Sequence, residues 1–448
     1  MKQLIKKYYT DLFLGKRLFA GIGTCVSLFL CSFFLNWLSD LSYICFWVLI
    51  LLIVVDLVLL FNTSKGVFLR RVLPERLSNG DDNAVNIYVE NFYGFGVSLG
   101  IIDEIPFQFQ KRDIWFKSNL KPGEQKTITY QLRPVKRGEY SFGLVRLYVS
   151  SPLGLIVRRF NFGAGSTVPV YPSFLQLRKY ELMAISNRLS DMGIKKIRRI
   201  GQSMEFDQLK DYVQGDDYRL VNWKATARKG NLMVNSYTDE KAQHVYCVID
   251  KSRVMKMPFD GLSLLDYAIN ASLVLSNIAL VKEDKAGLIT IAEKTGSVVM
   301  AERRPAHLGK IMEVLYKEKT RYLEVNMEAL HLTIRKVLKQ RSLVIFFTNF
   351  ETMSALQRQL PYLKRMNRFH LLLIVFFENT ALKALSEDPA KDVEGIYIKT
   401  IAEKFAYEKK IMVRELAKNG ILAILTSPDK LTVNVVNSYL SIKAQHKI

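Results

Sequence analysis

The chain has 448 residues, a formal net charge of +22 and a pI of about 9.6. This length exceeds that of one ordinary domain, so two or three domains are expected, and the basic character favours an anionic partner such as nucleic acid, an acidic protein or the cytoplasmic face of a membrane. The four cysteines show neither a disulfide framework nor zinc-ligand spacing, which indicates a reducing compartment for the soluble part.

Residues 1–64 are predicted to form a transmembrane helical hairpin. The apolar runs at about 18–38 and 41–61 are each long enough to cross a hydrocarbon core of roughly 30 Å as a helix. Basic residues flank both outer ends and are absent from the short connecting turn. This distribution predicts an integral protein of the cell (inner or plasma) membrane, with both termini and the soluble domains on the cytoplasmic side.

Asp56 interrupts the second apolar run. A carboxyl group within a membrane span is costly, so a proton relay is one interpretation. The other is structural, because Asp56 lies within two turns of the cytoplasmic end and could reach the interface or pair with Lys16 or Arg17.

Residues 65–175 are predicted to form an antiparallel β-sandwich. Short runs rich in Val, Ile, Tyr and Thr, such as AVNIYVEN and KTITYQLRP, are separated by turn sequences such as SNGDDN and LKPGEQ. Several strands at this spacing, with no helical period between them, are typical of a sandwich. No catalytic centre is expected in this segment.

Residues 241–448 are predicted to form an α/β domain with a doubly wound, mostly parallel sheet. The continuous apolar runs HVYCVID, AGLITIA, SLVIFFTNF, FHLLLIVFFE and GILAILTS have the pattern of strands buried on both faces, and segments of helical period separate them. In such a sheet, a ligand is expected beyond the carboxyl ends of the strands.

Oxygen-bearing side chains follow two of these strands. Asp250 and Ser252 come after the first strand and Asn349 after SLVIFFTNF, and oxygen ligands at strand ends suit magnesium. The domain resembles a von Willebrand A domain, whose metal site uses an Asp-x-Ser-x-Ser run, a distant threonine and an aspartate after the fourth strand. Val254 replaces the second serine here, Asn349 replaces the aspartate, and no threonine can be assigned. The resemblance thus implies a degenerate magnesium site, and the alternative is that Asp250 and Ser252 cap the following loop and helix.

Residues 176–240 connect the two soluble domains. The stretch SMEFDQLKDYVQGDDYRLVNWKATARKGNLMV predicts a short helix, a Gly-Asp turn and a second helix over about 218–229 that ends at Gly230. Asp216 or Asp217 is expected to cap the second helix. Adjacent carboxylates point in different directions, so they are poorly placed to act together as a general acid and base.

This stretch resembles the signature of the bacterial proteins named domain of unknown function family fifty-eight. Lys210, Val221 and Asn222 depart from that pattern, and Asn222 lacks the carboxylate that could form an ion pair there. The resemblance extends over most of the chain, including the segments RPVKRGEYSFG and SSPLGL. The matching positions are Glu205, Phe206, Leu209, Tyr212, Gly215, Asp216, Asp217, Arg219, Trp223, Lys224, Ala227 and Arg228.

The resemblance implies a protein without enzymatic activity, encoded beside a MoxR-type AAA+ ATPase and acting as an adaptor or substrate in an assembly or chaperone system. Two roles for the signature stay open. It could be a brace, with Trp223 buried between domains and the aspartates paired with Arg219 or Arg228, or it could be a surface that docks a partner.

The leading prediction is a membrane-anchored, non-enzymatic adaptor whose α/β domain binds such an ATPase, with Asp250, Ser252 and Asn349 on the face that meets the partner. No cofactor is expected beyond weakly bound magnesium. One alternative is binding of anionic lipid headgroups or nucleic acid through basic runs such as IKKIRR, although no specific nucleic-acid module accompanies them. The other is an uncharacterised hydrolase, for which no recognisable catalytic set is present.

Overall fold

The computed structural model describes residues 10–35, 37–63, 66–111, 114–163, 165–178, 205–214, 216, 218–238, 242–387 and 392–445, with the backbone alone at 205–208 and 236–238. The chain forms two compact units, Met1–Tyr171 and Pro172–Ile448. The boundaries predicted at 64, 175 and 240 within this division stay predictions.

The first unit contains two apolar helices and eleven described strands. In chain order, its elements are β1 (Leu12–Leu14), α1 (Lys16–Ser32), α2 (Leu38–Phe61), β2 (Val67–Val72), β3 (Leu77–Ser78), β4 (Asn83–Asn91), β5 (Val97–Asp103), β6 (Trp115–Leu120), β7 (Gln125–Leu132), β8 (Gly138–Phe142), β9 (Val145–Ser150), β10 (Ile156–Phe162) and β11 (Ser166–Tyr171).

Helix α2 is long and apolar enough to cross a membrane, and most of its side chains are exposed. Helix α1 ends at Ser32, six residues before the end predicted for the first span. The two helices contact each other in antiparallel order: the ring of Phe29 packs edge-on against Tyr43 and Phe46, and Gly21 lies against Leu49.

The strands of the first unit form three mostly antiparallel sheets, and their buried side chains form two hydrophobic clusters. Within the described residues, the strand orders are β1-β10-β9-β5-β6, β2-β4-β7 and β3-β11-β8, with a parallel pairing between β3 and β11. Side chains such as Ile87, Leu99 and Leu147 are fully buried between the first two sheets. Strand β1 was not predicted: it precedes α1 and pairs with β10, so the helical segment and the β domain share a sheet.

The loop that follows β9 is held by one ionic side chain from each helix. The Arg17 guanidinium donates to the carbonyl oxygens of Pro152 (2.8 Å) and Leu153 (3.1 Å). The Asp56 carboxylate accepts hydrogen bonds at Oδ2 from the backbone N–H groups of Leu155 (2.9 Å) and Ile156 (2.8 Å). The suggested pairing of Asp56 with Lys16 or Arg17 is therefore wrong, because backbone donors of this loop take that place.

The carboxyl end of α2 is buried in the β domain. Leu60 and Phe61 belong to its core. The Arg158 guanidinium donates to the carbonyl oxygens of Leu60 (2.5 Å) and Thr63 (2.7 Å), and the Tyr93 hydroxyl donates to that of Leu60 (2.8 Å). A cation at this position satisfies helix-terminal carbonyls and the negative end of the helix dipole, so the end of α2 is fixed.

The second unit contains a two-stranded sheet and a larger α/β domain. Its elements are β12 (Glu205–Asp211), α3 (Trp223–Lys229), β13 (Met233–Thr238), β14 (His244–Asp250), β15 (Pro258–Phe259), β16 (Leu262–Ser263), α4 (Leu264–Val281), β17 (Lys285–Ile291), β18 (Thr295–Glu302), α5 (His307–Lys317), α6 (Met327–Val337), β19 (Leu343–Phe347), α7 (Met353–Phe369), β20 (Leu371–Phe377), α8 (Thr380–Glu387), α9 (Val393–Lys418), β21 (Leu422–Thr426) and α10 (Leu431–Ala444).

The predicted mostly parallel sheet is present, with the order β18-β17-β14-β19-β20-β21 among the described strands. All neighbours are parallel except β17 and the edge strand β18, which the sequence did not predict. Helices α4, α5 and α10 cover one face and α6, α7 and α9 the other. The strand order reverses between β14 and β19, which is where ligands bind in open α/β sheets.

Candidate functional site

Asp250 lies at the carboxyl end of β14, at the point where the strand order reverses. Its Oδ1 accepts the backbone N–H of Ser252 (2.8 Å), and its Oδ2 accepts the hydroxyl of Thr348 (2.7 Å). Burial raises the pKa of the Asp250 carboxyl, and these hydrogen bonds oppose that rise. Asp250 and Ser252 are both buried, so neither can contact a protein partner as the sequence hypothesis required.

Asn349 follows β19, and its side chain accepts a hydrogen bond from a lysine. The Lys409 ammonium, from α9, donates to Asn349 Oδ1 (2.8 Å) and to the backbone carbonyl of Phe350. Burial lowers the pKa of Lys409 from its ordinary value of 10.5 to about 8, and the nearby Glu351 carboxylate partly offsets this effect.

The magnesium site predicted at this sheet edge stays a prediction, and the contacts of Asp250 and Asn349 weigh against it. The Asp250 carboxylate already accepts two protein donors, and an ammonium group lies against the amide oxygen of Asn349. A second cation beside that ammonium would be repelled. Among the described residues, no three histidine, cysteine, aspartate or glutamate side chains are grouped to hold a metal.

A cavity of about 460 Å³ opens beside these strand ends. Val254, Phe377 and Phe405 supply apolar wall, and Lys409 and Glu351 supply charge. The carboxyl ends of the strands thus carry a cleft where the topology predicts one, but the described polar groups that line it include no nucleophile hydrogen-bonded to a base.

The signature segment forms a hairpin with a short helix at its tip, which we call the signature hairpin (residues 205–238). The short helix predicted before the Gly-Asp turn is wrong: residues 205–211 form β12, which pairs antiparallel with β13. A 3₁₀ turn at Tyr218–Leu220 leads to α3, which ends at Gly230 with φ +78°, as predicted. Gly215 and Asp217, and the side chains of Glu205 and Phe206, lie outside the described residues.

Asn222, which departs from the family pattern, caps the amino end of α3. Its Oδ1 accepts the backbone N–H of Ala225 (3.0 Å) and its Nδ2 donates to Asn235 (2.9 Å). The expected cap, Asp216, instead accepts the Lys210 ammonium (2.8 Å) and the backbone N–H of Val213 (3.2 Å). The hydrogen bond from Lys210 is the main cause that lowers the pKa of Asp216.

We expect Asn222→Ala to reduce the local stability of α3 by about 1 kcal/mol, because a helix loses its side-chain cap. Hydrogen exchange of the Ala225 amide should then be about fivefold faster. Asn222→Asp retains the capping oxygen and should restore most of the protection. Equal exchange in the alanine variant and the unchanged chain would show that the cap does not hold α3.

The outer surface of the signature hairpin is aromatic and basic. Trp223 is 72 % exposed and Tyr218 is 71 % exposed, so the burial of Trp223 expected for a brace is wrong, whereas the pairing of the aspartates with Arg219 or Arg228 stays a prediction. Lys224, Ala227, Arg228 and Arg219 are also exposed, and the Arg219 guanidinium lies over the ring of Tyr218 at 5.8 Å. We call Tyr218, Arg219, Trp223, Lys224 and Arg228 the signature surface.

A model of the family described as protein of unknown function DUF58 matches residues 208–377. This segment is similar to the DUF58 family. The match begins in β12 and ends with β20, so it includes residues 208–238 of the signature hairpin and four of the five parallel strands. The family resemblance drawn from the signature residues is thereby confirmed.

A curated relative and several solved structures are similar to parts of the chain. The uncharacterized protein YeaD of Bacillus subtilis (strain 168) is 29 % identical over 139 residues, which are 31 % of this chain and 32 % of YeaD. The match with this curated relative thus spans about a third of its length. The conserved hypothetical protein BatB of Bacteroides thetaiotaomicron is 16 % identical and covers 46 % of this chain and 100 % of its own, with a TM-score of 0.30. An aerotolerance-related membrane protein of Bacteroides fragilis NCTC 9343 is 14 % identical with the same coverage and a TM-score of 0.26.

Proposed function

We propose that this chain is a non-enzymatic, membrane-anchored adaptor that binds a protein partner through the signature surface. The observation that carries the proposal is the exposure of Trp223 within a basic surrounding. Tryptophan, tyrosine and arginine are the residues that most often dominate the binding energy of protein interfaces. Among the described residues, the exposed Trp223 indole belongs to no hydrophobic core, and its helix has only seven residues.

The anchor in this proposal is a hairpin of α1 and α2, with the termini and both soluble parts on the cytoplasmic side. Basic residues at the outer ends of the two apolar runs support that orientation. The α/β part is proposed to be von Willebrand A-like, with a strand-end site that has lost its metal-binding residues.

The partner in this proposal has an apolar pocket that receives Trp223 and acidic residues around that pocket. The acidic residues would complement the positive charges of Arg219, Lys224 and Arg228. A MoxR-type AAA+ ATPase is the specific candidate, which the family resemblance implies. Direct binding of nucleic acid is the less favoured use of this surface, because among the described residues no RNA-binding platform or groove-reading helix surrounds Tyr218 and Trp223. The basic run IKKIRR lies outside the described residues.

The test measures binding of the purified MoxR-type ATPase of the same organism to the full chain in lipid nanodiscs, with and without ATP and Mg²⁺. We expect Trp223→Ala to weaken binding about 30-fold or more, the effect of removing an interface hot spot. Phe369→Ala is the matched control, because Phe369 is 62 % exposed at the end of α7 in the same unit and lies outside the signature surface.

If Trp223→Ala and Phe369→Ala weakened ATPase binding equally, the signature surface would not be the docking site. Absence of binding by the unchanged chain in both nucleotide states would remove this ATPase as the partner. Tighter binding of random DNA than of the ATPase, lost in Trp223→Ala, would assign the surface to nucleic acid.

A further inference from the structure

A basic groove lies between the start of α1 and the outer face of the five-stranded sheet in the first unit. Its volume is about 1400 Å³, and Gly15, the loop after β9 and strand β6 line it. Lys16, Arg17, Lys117 and Lys121 all line this groove. Glu124 is also present, and its carboxylate accepts the backbone N–H of Lys121 (2.7 Å) within a turn.

Rigid neighbours hold the groove in shape. The Arg17 guanidinium donates hydrogen bonds to the carbonyl oxygens of Pro152 and Leu153. Helix α1 and the loop after β9 therefore form one wall of the groove. Lys16, Lys117 and Lys121 are exposed, and within the described part of the chain none of them pairs with a carboxylate. Three ammonium groups therefore face a shared space with one carboxylate to balance them.

Trp115 gives the groove an aromatic edge. Its ring is 53 % exposed and stacks on Tyr148, with 6.0 Å between centroids and 8° between planes. Gly100 lies beneath it, where a Cβ atom would be 3.1 Å from the indole ring. Because Gly100 has no side chain, the Trp115 ring can lie flat on the sheet. An exposed tryptophan beside basic residues is typical of the membrane–water interface.

We propose that this groove binds the phosphate of an anionic phospholipid from the cytoplasmic leaflet. The proposal rests on the membrane anchoring in the proposed function and adds a specific lipid site to it. The apolar part of α1 starts at Leu18, directly after Lys16 and Arg17, so these cations lie at the level of the headgroups when α1 is inserted. Lys117 and Lys121 face the same phosphate from the sheet side.

The test is native mass spectrometry of the full chain in detergent, titrated with phosphatidylglycerol or phosphatidylcholine. One saturable site for phosphatidylglycerol is expected. The triple variant Lys16→Gln, Lys117→Gln, Lys121→Gln should weaken it about tenfold or more, in line with the attraction of each basic residue to anionic lipid. The matched control removes the same charge from exposed lysines elsewhere on the β domain: Lys111→Gln, Lys126→Gln, Lys136→Gln. It should change binding less than twofold.

Equal losses in the two triple variants, or equal binding of phosphatidylcholine, would overturn the site. Displacement of phosphatidylglycerol by millimolar glycerol 3-phosphate would assign the groove to a soluble phosphate and overturn the lipid proposal. Carbonate extraction separates the two proposals. A chain released from membranes by carbonate refutes the anchoring and the lipid site together, whereas a retained chain that binds no phosphatidylglycerol refutes the lipid site alone.

Discussion

Replacement of Asp56 by alanine is expected to cost about 2 to 6 kcal/mol of local stability where α2 meets the β domain. The Asp56 carboxylate is fully buried and accepts the backbone N–H groups of Leu155 and Ile156. Each buried donor left without an acceptor costs about 1 to 3 kcal/mol, and two are lost together here. Hydrogen exchange of the Leu155 and Ile156 amides in the full chain measures this loss directly.

Two further variants make this result specific. Asp56→Asn keeps one carbonyl oxygen as an acceptor and removes the charge, so its loss should be smaller than that of the alanine variant. Asp40→Ala removes an exposed carboxylate from the first turn of the same helix, and the exchange at Leu155 and Ile156 should not change. Unchanged exchange at both amides in Asp56→Ala would show that Asp56 does not hold this loop.

This junction explains why a carboxylate is present near the end of an apolar helix. The SSPLGL segment, noted for its family resemblance, is the loop that Arg17 and Asp56 bind from the two helices. Sequence reasoning could identify Asp56 as unusual but could not find its partners, since they are backbone groups about a hundred residues away. Each residue except proline carries a backbone N–H group, so no sequence pattern indicates which of these groups will donate to a carboxylate.

The parallel sheet could be predicted because strands buried on both faces must be apolar throughout. The runs ending at Asp250, Phe347 and Phe377 have this property, and each forms the expected strand. Strand β18 alternates between half-buried and exposed residues at the sheet edge, so it lacks that signal. The short strand β1 is likewise hidden, because three residues before an apolar helix give no period to detect.

The signature hairpin shows where tertiary pairing overrides local pattern. Phe206 and Leu209 are three residues apart, a spacing that favours a helix, but the segment pairs with β13 across an irregular register. The strand-end site was half predicted: Asp250 and Asn349 lie at the expected edge, whereas Thr348 and Lys409 were missed. Lys409 could have been found from the helical spacing. It lies seven residues after Ala402 and seven before Leu416, so it shares a face of α9 with these two buried residues.

The pH dependence of stability is expected to reveal the partial burial of Lys409. Its pKa is about 8 in the folded chain and 10.5 is its ordinary value, so between these values the unfolded chain holds a proton that the native chain has lost. The native state therefore gains stability as the pH rises through this window, by up to about 3 kcal/mol, and the contribution is constant below about pH 8. Lys409→Met removes this contribution.

The measurement is urea unfolding of the α/β part within the full chain, followed by pulse proteolysis at pH 7, 8, 9 and 10. The stability of the unchanged chain minus that of Lys409→Met should increase from pH 8 to pH 10. Lys410→Met is the control. This neighbouring lysine is exposed, so the difference in stability between the unchanged chain and Lys410→Met should not depend on pH.

If the difference for Lys409→Met did not depend on pH either, water would reach the Lys409 ammonium. A difference that falls with pH would mean that the bonds to Asn349 and Phe350 stabilise the charge more than burial destabilises it. In that case Lys409 would act as a permanent cation at the strand ends.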